Sequence, residues 1–254
     1  EVKFIVASDK VVIEPSIKQK IKLNQKPNTL IASEIGNVST REWKYSIDGG
    51  NTYSSFSPVM SDQTFVFPVK TLGIGKYIVT CQSIIDGVTH ISNPVEFEIV
   101  DSTLTFDITW TGIYSSDVKD MRNWYPSAHI TSNNLIIPAN TPYSPELSSP
   151  GNDVISEINI NVGAYFTLNK PSNNDTLIRN SDVYLNGNLI IKSGVFKVNR
   201  LRMENDSSSL VMTGGKLINT TDWIVGGNNT NVGAKYIKLM GDAEVDAGGQ
   251  IWRF

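Results

Sequence analysis

Asp242-x-Glu244-x-Asp246 sets three carboxylates at alternate positions. Alternate residues of an extended strand share a face, so these three carboxylates point together. Like charges that close repel, which directs the row to solvent unless a cation lies among them. Calcium is the cofactor such a row would take, and no second signal supports it. The other acidic candidates are Asp107, Asp117, Asp120, Asp153, Asp175, Asp182 and Asp222. None has the spacing of a calcium loop, and nothing pairs two of them as glycosidase carboxylates. All read as exposed turn aspartates. Lys192, Lys197, Arg200 and Arg202 are the nearest approach to a basic cluster. Beside paired acids they would suit a polysaccharide lyase, but they flank strands and read as solvated strand ends. The two histidines, His90 and His129, stand in no ligand cluster. Cys81 has no base beside it in sequence, and no nucleophile elbow, phosphate loop or dinucleotide fingerprint occurs. No catalytic, cofactor-binding or metal-binding residue is assigned, and no cofactor is expected. The remaining chemistry is that of sugar recognition, for which Tyr125, Tyr143, Trp223 and Trp252 are the candidate stacking aromatics.

The bulk composition narrows the partners. Of 254 residues, 40% are apolar and 19% charged, with a formal net charge of -3. No basic stripe offers a footprint for nucleic acid. No apolar run is long enough to span a bilayer, so membrane insertion is not expected. Asn, Ser, Thr and Gly dominate the polar positions, which suits short strands joined by turns. A single cysteine rules out an intramolecular disulfide and reads as a small core hydrophobe.

The first hundred residues predict about seven short strands. Lys3 to Ile13, Lys18 to Leu23, Thr29 to Ile35 and Thr64 to Val69 are strand-like. In Arg41 to Ile47 the alternation puts Trp43, Tyr45 and Ile47 on one face, and Asp48-Gly49-Gly50-Asn51 is a turn. Gly75 to Cys81 places Tyr77, Val79 and Cys81 together, and Asp86-Gly87 turns toward a last strand over Pro94 to Val100. This is the pattern of a β-sandwich. Trp43 and Tyr77-x-Val79-x-Cys81 resemble the central tryptophan and tyrosine-corner strand of immunoglobulin-like domains. The stretch from Trp43 to Gly50 resembles bacterial immunoglobulin-like and polycystic-kidney-disease-like modules. The partner cysteine is missing, and Leu30 or Ile31 occupies its region.

From Asn134 onward, apolar strands of three to five residues alternate with spacers of Asn, Gly, Asp, Ser or Lys, without a fixed period. Strands that short need neighbours above and below, which a solenoid supplies; an antiparallel sandwich or jelly roll would use the same strands. The one helical turn expected lies within Asp117 to Trp124. Trp110-Thr111-Gly112, Asp117, Asp120, Asn123-Trp124, Pro126, Asn134 to Pro138 and Pro145 together resemble the opening of β-helical regions in large secreted proteins of the Bacteroidetes. In some of those proteins immunoglobulin-like modules come first. Trp110 and Trp124 then read as a cap over the open end of the coil.

The expected architecture is therefore all-β: an immunoglobulin-like β-sandwich over 1–101, then a parallel β-helix over 102–254 with its cap around 106–126. The last residues, Gly248 to Phe254, stop within a pattern, so more chain is expected beyond Phe254. The expected function is that of a non-enzymatic secreted or cell-surface module for adhesion, glycan binding or spacing. The alternative is a fragment of a β-helical carbohydrate-active enzyme, a polysaccharide lyase or glycoside hydrolase.

Overall fold

The computed structural model describes residues 10–203, 207–220, 224–225, 236–239 and 241–246. Its packing divides the chain into two units at Leu104/Thr105, with Pro126–Ala128 grouped with the first.

In the first unit, the strands are β1 (Val11–Glu14), β2 (Gln19–Lys22), β3 (Leu30–Glu34), β4 (Val38–Ser46), β5 (Ser54–Ser55), β6 (Thr64–Phe65), β7 (Gly75–Ile85), β8 (Val88–Ile91) and β9 (Val95–Val100). They form a three-stranded sheet ordered β1-β3-β6 and a six-stranded sheet ordered β2-β9-β7-β4-β5, with β8 on β7. β2 runs parallel to β9. Trp43 and Tyr77 project from the second sheet into a cluster of rings. Trp43 stacks on Phe65 with centroids 4.8 Å apart, and Phe67 lies between Phe97 at 4.5 Å and Tyr77 at 5.1 Å. Offset and edge arrangements of this kind add to the burial of ring area. The Trp43 indole also donates to the Asp62 carbonyl at 2.8 Å. Cys81 faces Trp43 across the sheet, buried and free. Ser127 pairs with the β2 edge: its N–H donates to the Lys18 carbonyl at 2.8 Å, and its carbonyl accepts from Lys20 at 2.9 Å.

Three local expectations change here. Ile47 does not share the inward face of Trp43 and is 73% exposed. β4 ends at Ser46, where a hairpin loop takes over: the Asp48 carboxylate accepts from Ser46 Oγ at 2.6 Å, Thr52 N–H at 2.9 Å and Thr52 Oγ1 at 2.6 Å. The strand expected through Val69 stops at Phe65. Pro68 has no N–H to continue a ladder, and its carbonyl accepts from Thr71 and Leu72, opening the one-turn helix α1 (Val69–Leu72). Asp86-Gly87, both at positive φ, turn into β8 before β9 begins.

The second unit is a β-solenoid of about five coils with three walls. Its strands are β10 (Asp107–Trp110), β11 (Trp124–Tyr125), β12 (Asn134–Ile137), β13 (Glu146–Leu147), β14 (Asp153–Ile155), β15 (Glu157–Ile160), β16 (Tyr165–Asn169), β17 (Thr176–Leu185), β18 (Asn188–Ser193), β19 (Val195–Met203), β20 (Ser209–Met212), β21 (Lys216–Asn219), β22 (Ile224–Val225), β23 (Tyr236–Leu239) and β24 (Glu244–Asp246). The first wall stacks β10, β12, β15 and the later halves of β17 and β19, then β22. The second stacks β13-β16-β18-β20-β23, and the third β14, the earlier halves of β17 and β19, then β21 and β24. β17 rounds a corner within one strand, and a register shift between Arg179 and Asp182 marks the bend.

All these stacked pairs are parallel, so like positions meet coil after coil. Ile108, Leu135 and Ile158 form one interior ladder, Phe166, Leu189 and Leu210 a second, and Leu177, Phe196 and Leu217 a third. Side chains bonded across successive coils lie 21, 23, 24, 27 or 28 residues apart. Corners absorb the differences, which is why the sequence has no strict period.

At the start of the solenoid, β11 pairs antiparallel with β10, setting Trp124 opposite Trp110. Both are buried, with rings edge-on at 5.1 Å. The helical turn of this segment is the 3-10 turn Met121–Asn123, capped by the Asp120 carboxylate on Arg122 N–H. Buried Asn123 ties the loop: its Oδ1 accepts from Tyr114 and Ser115 N–H, and its Nδ2 donates to Ser115 Oγ and the Asp117 carbonyl.

Candidate functional site

The buried charged cluster of the second unit is one the sequence does not announce. Asp153, expected at an exposed turn, is buried at 5% exposure. Its partner Lys170 has a side chain with no exposure at all, and the two are joined at 2.6 Å. The Lys170 ammonium spends its other two donors on the Ser149 carbonyl at 3.0 Å and the Gly151 carbonyl at 2.9 Å. Lys119 approaches the second Asp153 oxygen at 3.1 Å. Gly194 lets this happen, since a Cβ there would fall 2.5 Å from Lys170 Cβ. Every donor of the buried ammonium is satisfied, so the cluster staples the corner at 149–153 to the next coil and leaves no group poised to react.

Glu244 and Asp246 of the acidic row and the four basic residues singled out in the sequence lie on strands of the solenoid walls. Glu244 and Asp246 face outward, and the counter-charge comes from Lys216 one coil earlier, 2.5 Å from Glu244 and 4.0 Å from Asp246. The hydrogen bond to Glu244 holds Lys216 above the usual lysine range. The four basic residues are dispersed over all three walls. Lys192 is on the second, paired with Glu146 at 3.7 Å, and Lys197 is on the third. Arg200 and Arg202 are on the first, with Arg202 5.3 Å from the centre of the Tyr184 ring. Among the described residues, no group of three or more His, Cys, Asp or Glu is placed to hold a metal ion.

Of the four candidate aromatics, Trp223 and Trp252 lie outside the described residues. Tyr125 is 57% exposed on β11 and Tyr143 is 51% exposed in the loop after β12. The structure does not bring these two together, but Tyr143 belongs to a loop that shapes a depression.

That depression, of about 200 Å³, opens at the corner where the first wall turns into the second. It is lined by Pro138, Asn140, Thr141, Ser144, Gly163, Ala164 and Tyr165. Its loop is fixed from beneath by Trp110-Thr111-Gly112. The Trp110 indole donates to the Tyr143 carbonyl at 2.7 Å, and Tyr143 N–H donates to the Gly112 carbonyl at 3.2 Å. A Cβ at Gly112, whose φ is 57°, would sit 2.4 Å from the Tyr143 carbonyl, so only glycine allows the approach. Asn140 takes the left-handed region, φ 59°, which asparagine tolerates. Thr141 Oγ1 donates to the Tyr143 carbonyl at 3.0 Å, leaving its lone pairs to accept from a ligand.

No lining residue is charged. Asn140, Thr141 and Ser144 bring one amide and two hydroxyls, and Pro138 and the 49% exposed Tyr165 bring rings; Ala164 is buried at its base. This arrangement can exchange hydrogen bonds with hydroxyls and offer apolar surface to the C–H face of a pyranose. The sequence signal for Tyr165 is alternation: Phe166 and Leu168 point inward, so Tyr165 must point out.

No protein-family model matches the chain, and no curated protein matches it. A crystal structure of a pectate lyase from Pectobacterium carotovorum aligns with 95% of this chain and 93% of its own, at 11% identity and a TM-score of 0.27. A likeness that distant assigns no activity here.

Proposed function

We propose that this chain is a non-enzymatic secreted or cell-surface module that binds neutral glycan through the solenoid corner formed by Pro138–Ser144 and Gly163–Tyr165. The observation that carries this reading is the uncharged, hydroxyl-matched depression with the half-exposed Tyr165 ring at its edge. A lyase or hydrolase site would gather Arg or Lys beside two or more carboxylates in a groove. Among the described residues two arrangements come near this: Lys18, Lys76, Glu96 and Glu98 around a shallow depression of the first unit, where Lys18 lies 3.7 Å from Glu96 and 3.4 Å from Glu98, and Lys216 with Glu244 and Asp246 on an outward strand surface of the third wall. In both, the acids and bases face each other as ion pairs on strand surfaces.

Within the same proposal, the first unit is immunoglobulin-like. Its six-stranded sheet supports this with β9, β7 and β4 as consecutive neighbours, β5 beyond β4, and β2 parallel to β9. So does Tyr77, whose hydroxyl donates back to the Leu72 carbonyl at 2.8 Å in the manner of a tyrosine corner. The module then serves as adhesive or spacer in a larger surface protein of the kind that the Trp110–Pro145 motif resembles. A glycan array probed with the full chain should give neutral hits, and Tyr165→Ala should abolish them while leaving the circular dichroism unchanged. Parallel incubation with neutral and acidic polysaccharides, with and without calcium, should release neither reducing ends nor unsaturated sugars. Turnover on any of them would replace this reading with the enzymatic one.

A further inference from the structure

We infer that the depression is the first subsite of a longer track, and that its ligand is an extended, linear, neutral polysaccharide lying along the solenoid axis with about one sugar per coil. This rests on the glycan reading of the depression itself. Tyr165 opens β16, and the parallel register sets Asn188 directly beside it on the next coil and Ser209 on the coil after that. All three are at the same corner and none is buried. Successive strands of a sheet lie about 4.8 Å apart, close to the length of one pyranose in an extended chain. A ligand leaving the depression over Tyr165 therefore meets one polar side chain per sugar.

These side chains are already held in place. Ser209 Oγ donates to Asn188 Oδ1 at 2.6 Å, and Asn188 Nδ2 donates to the Ala164 carbonyl at 3.0 Å. Each bond uses part of the capacity of its groups. The Asn188 amide keeps one N–H and one lone pair, and the Ser209 oxygen keeps an acceptor site. The track thus presents oriented hydrogen-bonding groups whose ordering cost was met on folding, a condition that favours binding. None of these three residues or the other lining residues of the depression is charged, which selects against polyanionic chains.

The test is an NMR titration of the full chain with β-1,4-linked glucose and β-1,4-linked mannose oligomers of two to six sugars. The dissociation constant should tighten by roughly three- to tenfold for the third sugar, as one or two net hydrogen bonds would give, and then level off. Ser209→Ala should remove that gain, Asn188→Ala should weaken the disaccharide as well, and Tyr165→Ala should weaken every oligomer. Equal affinity for di- and tetrasaccharide overturns the track but leaves the depression as a single-sugar site. So does failure of both series while branched or acidic glycans bind. Absence of binding to every arrayed glycan overturns this inference and the glycan reading together.

Discussion

The two units keep water out of their interiors in different ways. The first gathers its stability in one place, where Trp43, Phe65, Phe67, Tyr77 and Phe97 meet between two sheets. The second spreads it along ladders in which each aliphatic side chain touches its counterpart in the coil above and below. Its buried ion pair, Lys170 with Asp153, is placed at a corner, where loop carbonyls are at hand to receive the ammonium. A core gathered in one ring cluster is therefore vulnerable at a point. A solenoid is vulnerable wherever one coil loses its match with the next.

The sharpest test of that contrast is Trp43→Ala. It empties the centre of the ring cluster and strands the Asp62 carbonyl, so it should cost about 3–5 kcal/mol. In a urea titration followed by fluorescence and circular dichroism, it should move the transition of the first unit. A loss below about 1 kcal/mol would remove Trp43 from the core. Next comes Lys170→Met, which leaves Asp153 buried with only Lys119 beside it. Breaking a buried pair from one side should cost about 3 kcal/mol. The double change Lys170→Met with Asp153→Leu should recover much of that loss, and failure to recover would mean that the loop carbonyls, not the ion pair, carry the staple.

Smaller still is Leu189→Ala, between Phe166 and Leu210 in its ladder, at about 2–3 kcal/mol. If the solenoid stores its stability as described, amide exchange should quicken mainly in neighbouring coils. Uniform quickening across the second unit would show one cooperative block instead.

The smallest effect concerns Cys81. Burial pushes its thiol up to about 11, with the Ser83 hydroxyl opposing and the Glu34 carboxylate adding to the rise. A thiol reagent should label it slowly at neutral pH, and fast labelling would contradict its burial. Because the folded value lies above the unfolded one, its contribution to stability is complete below about pH 8.5 and declines as pH rises toward 11. Cys81→Ala should flatten that decline in a pH series of melting curves.

Much of the second unit is legible in its residues. Short strands with Asn and Gly between them need neighbours on both sides, which a solenoid or an antiparallel sandwich could supply, and the parallel register decides for the solenoid. Trp110 and Trp124 are legible as buried residues at its opening. The candidate site is legible only in part. Tyr143 belongs to the loop beside the depression without lining it, and Tyr165, Asn188 and Ser209 come from different coils and share a corner only through the parallel register. Ile47 fails for a related reason: the alternation that holds through Tyr45 says nothing about where the Asp48 loop interrupts the strand.

The sequence by itself determined the all-β class, the short-strand pattern of the second unit, the burial of Trp43 and Cys81, and the lack of any motif for a cofactor or nucleophile. These follow from local periodicity and composition, which each segment carries within itself. Only the tertiary structure decided that Asp153 turns inward to Lys170, that the four basic residues separate onto three walls, and that a polar corner runs from Asn140 past Tyr165 to Ser209. Those facts depend on which residues meet one coil apart. With coils of unequal length, that meeting is set by how the corners fold and not by any spacing along the chain.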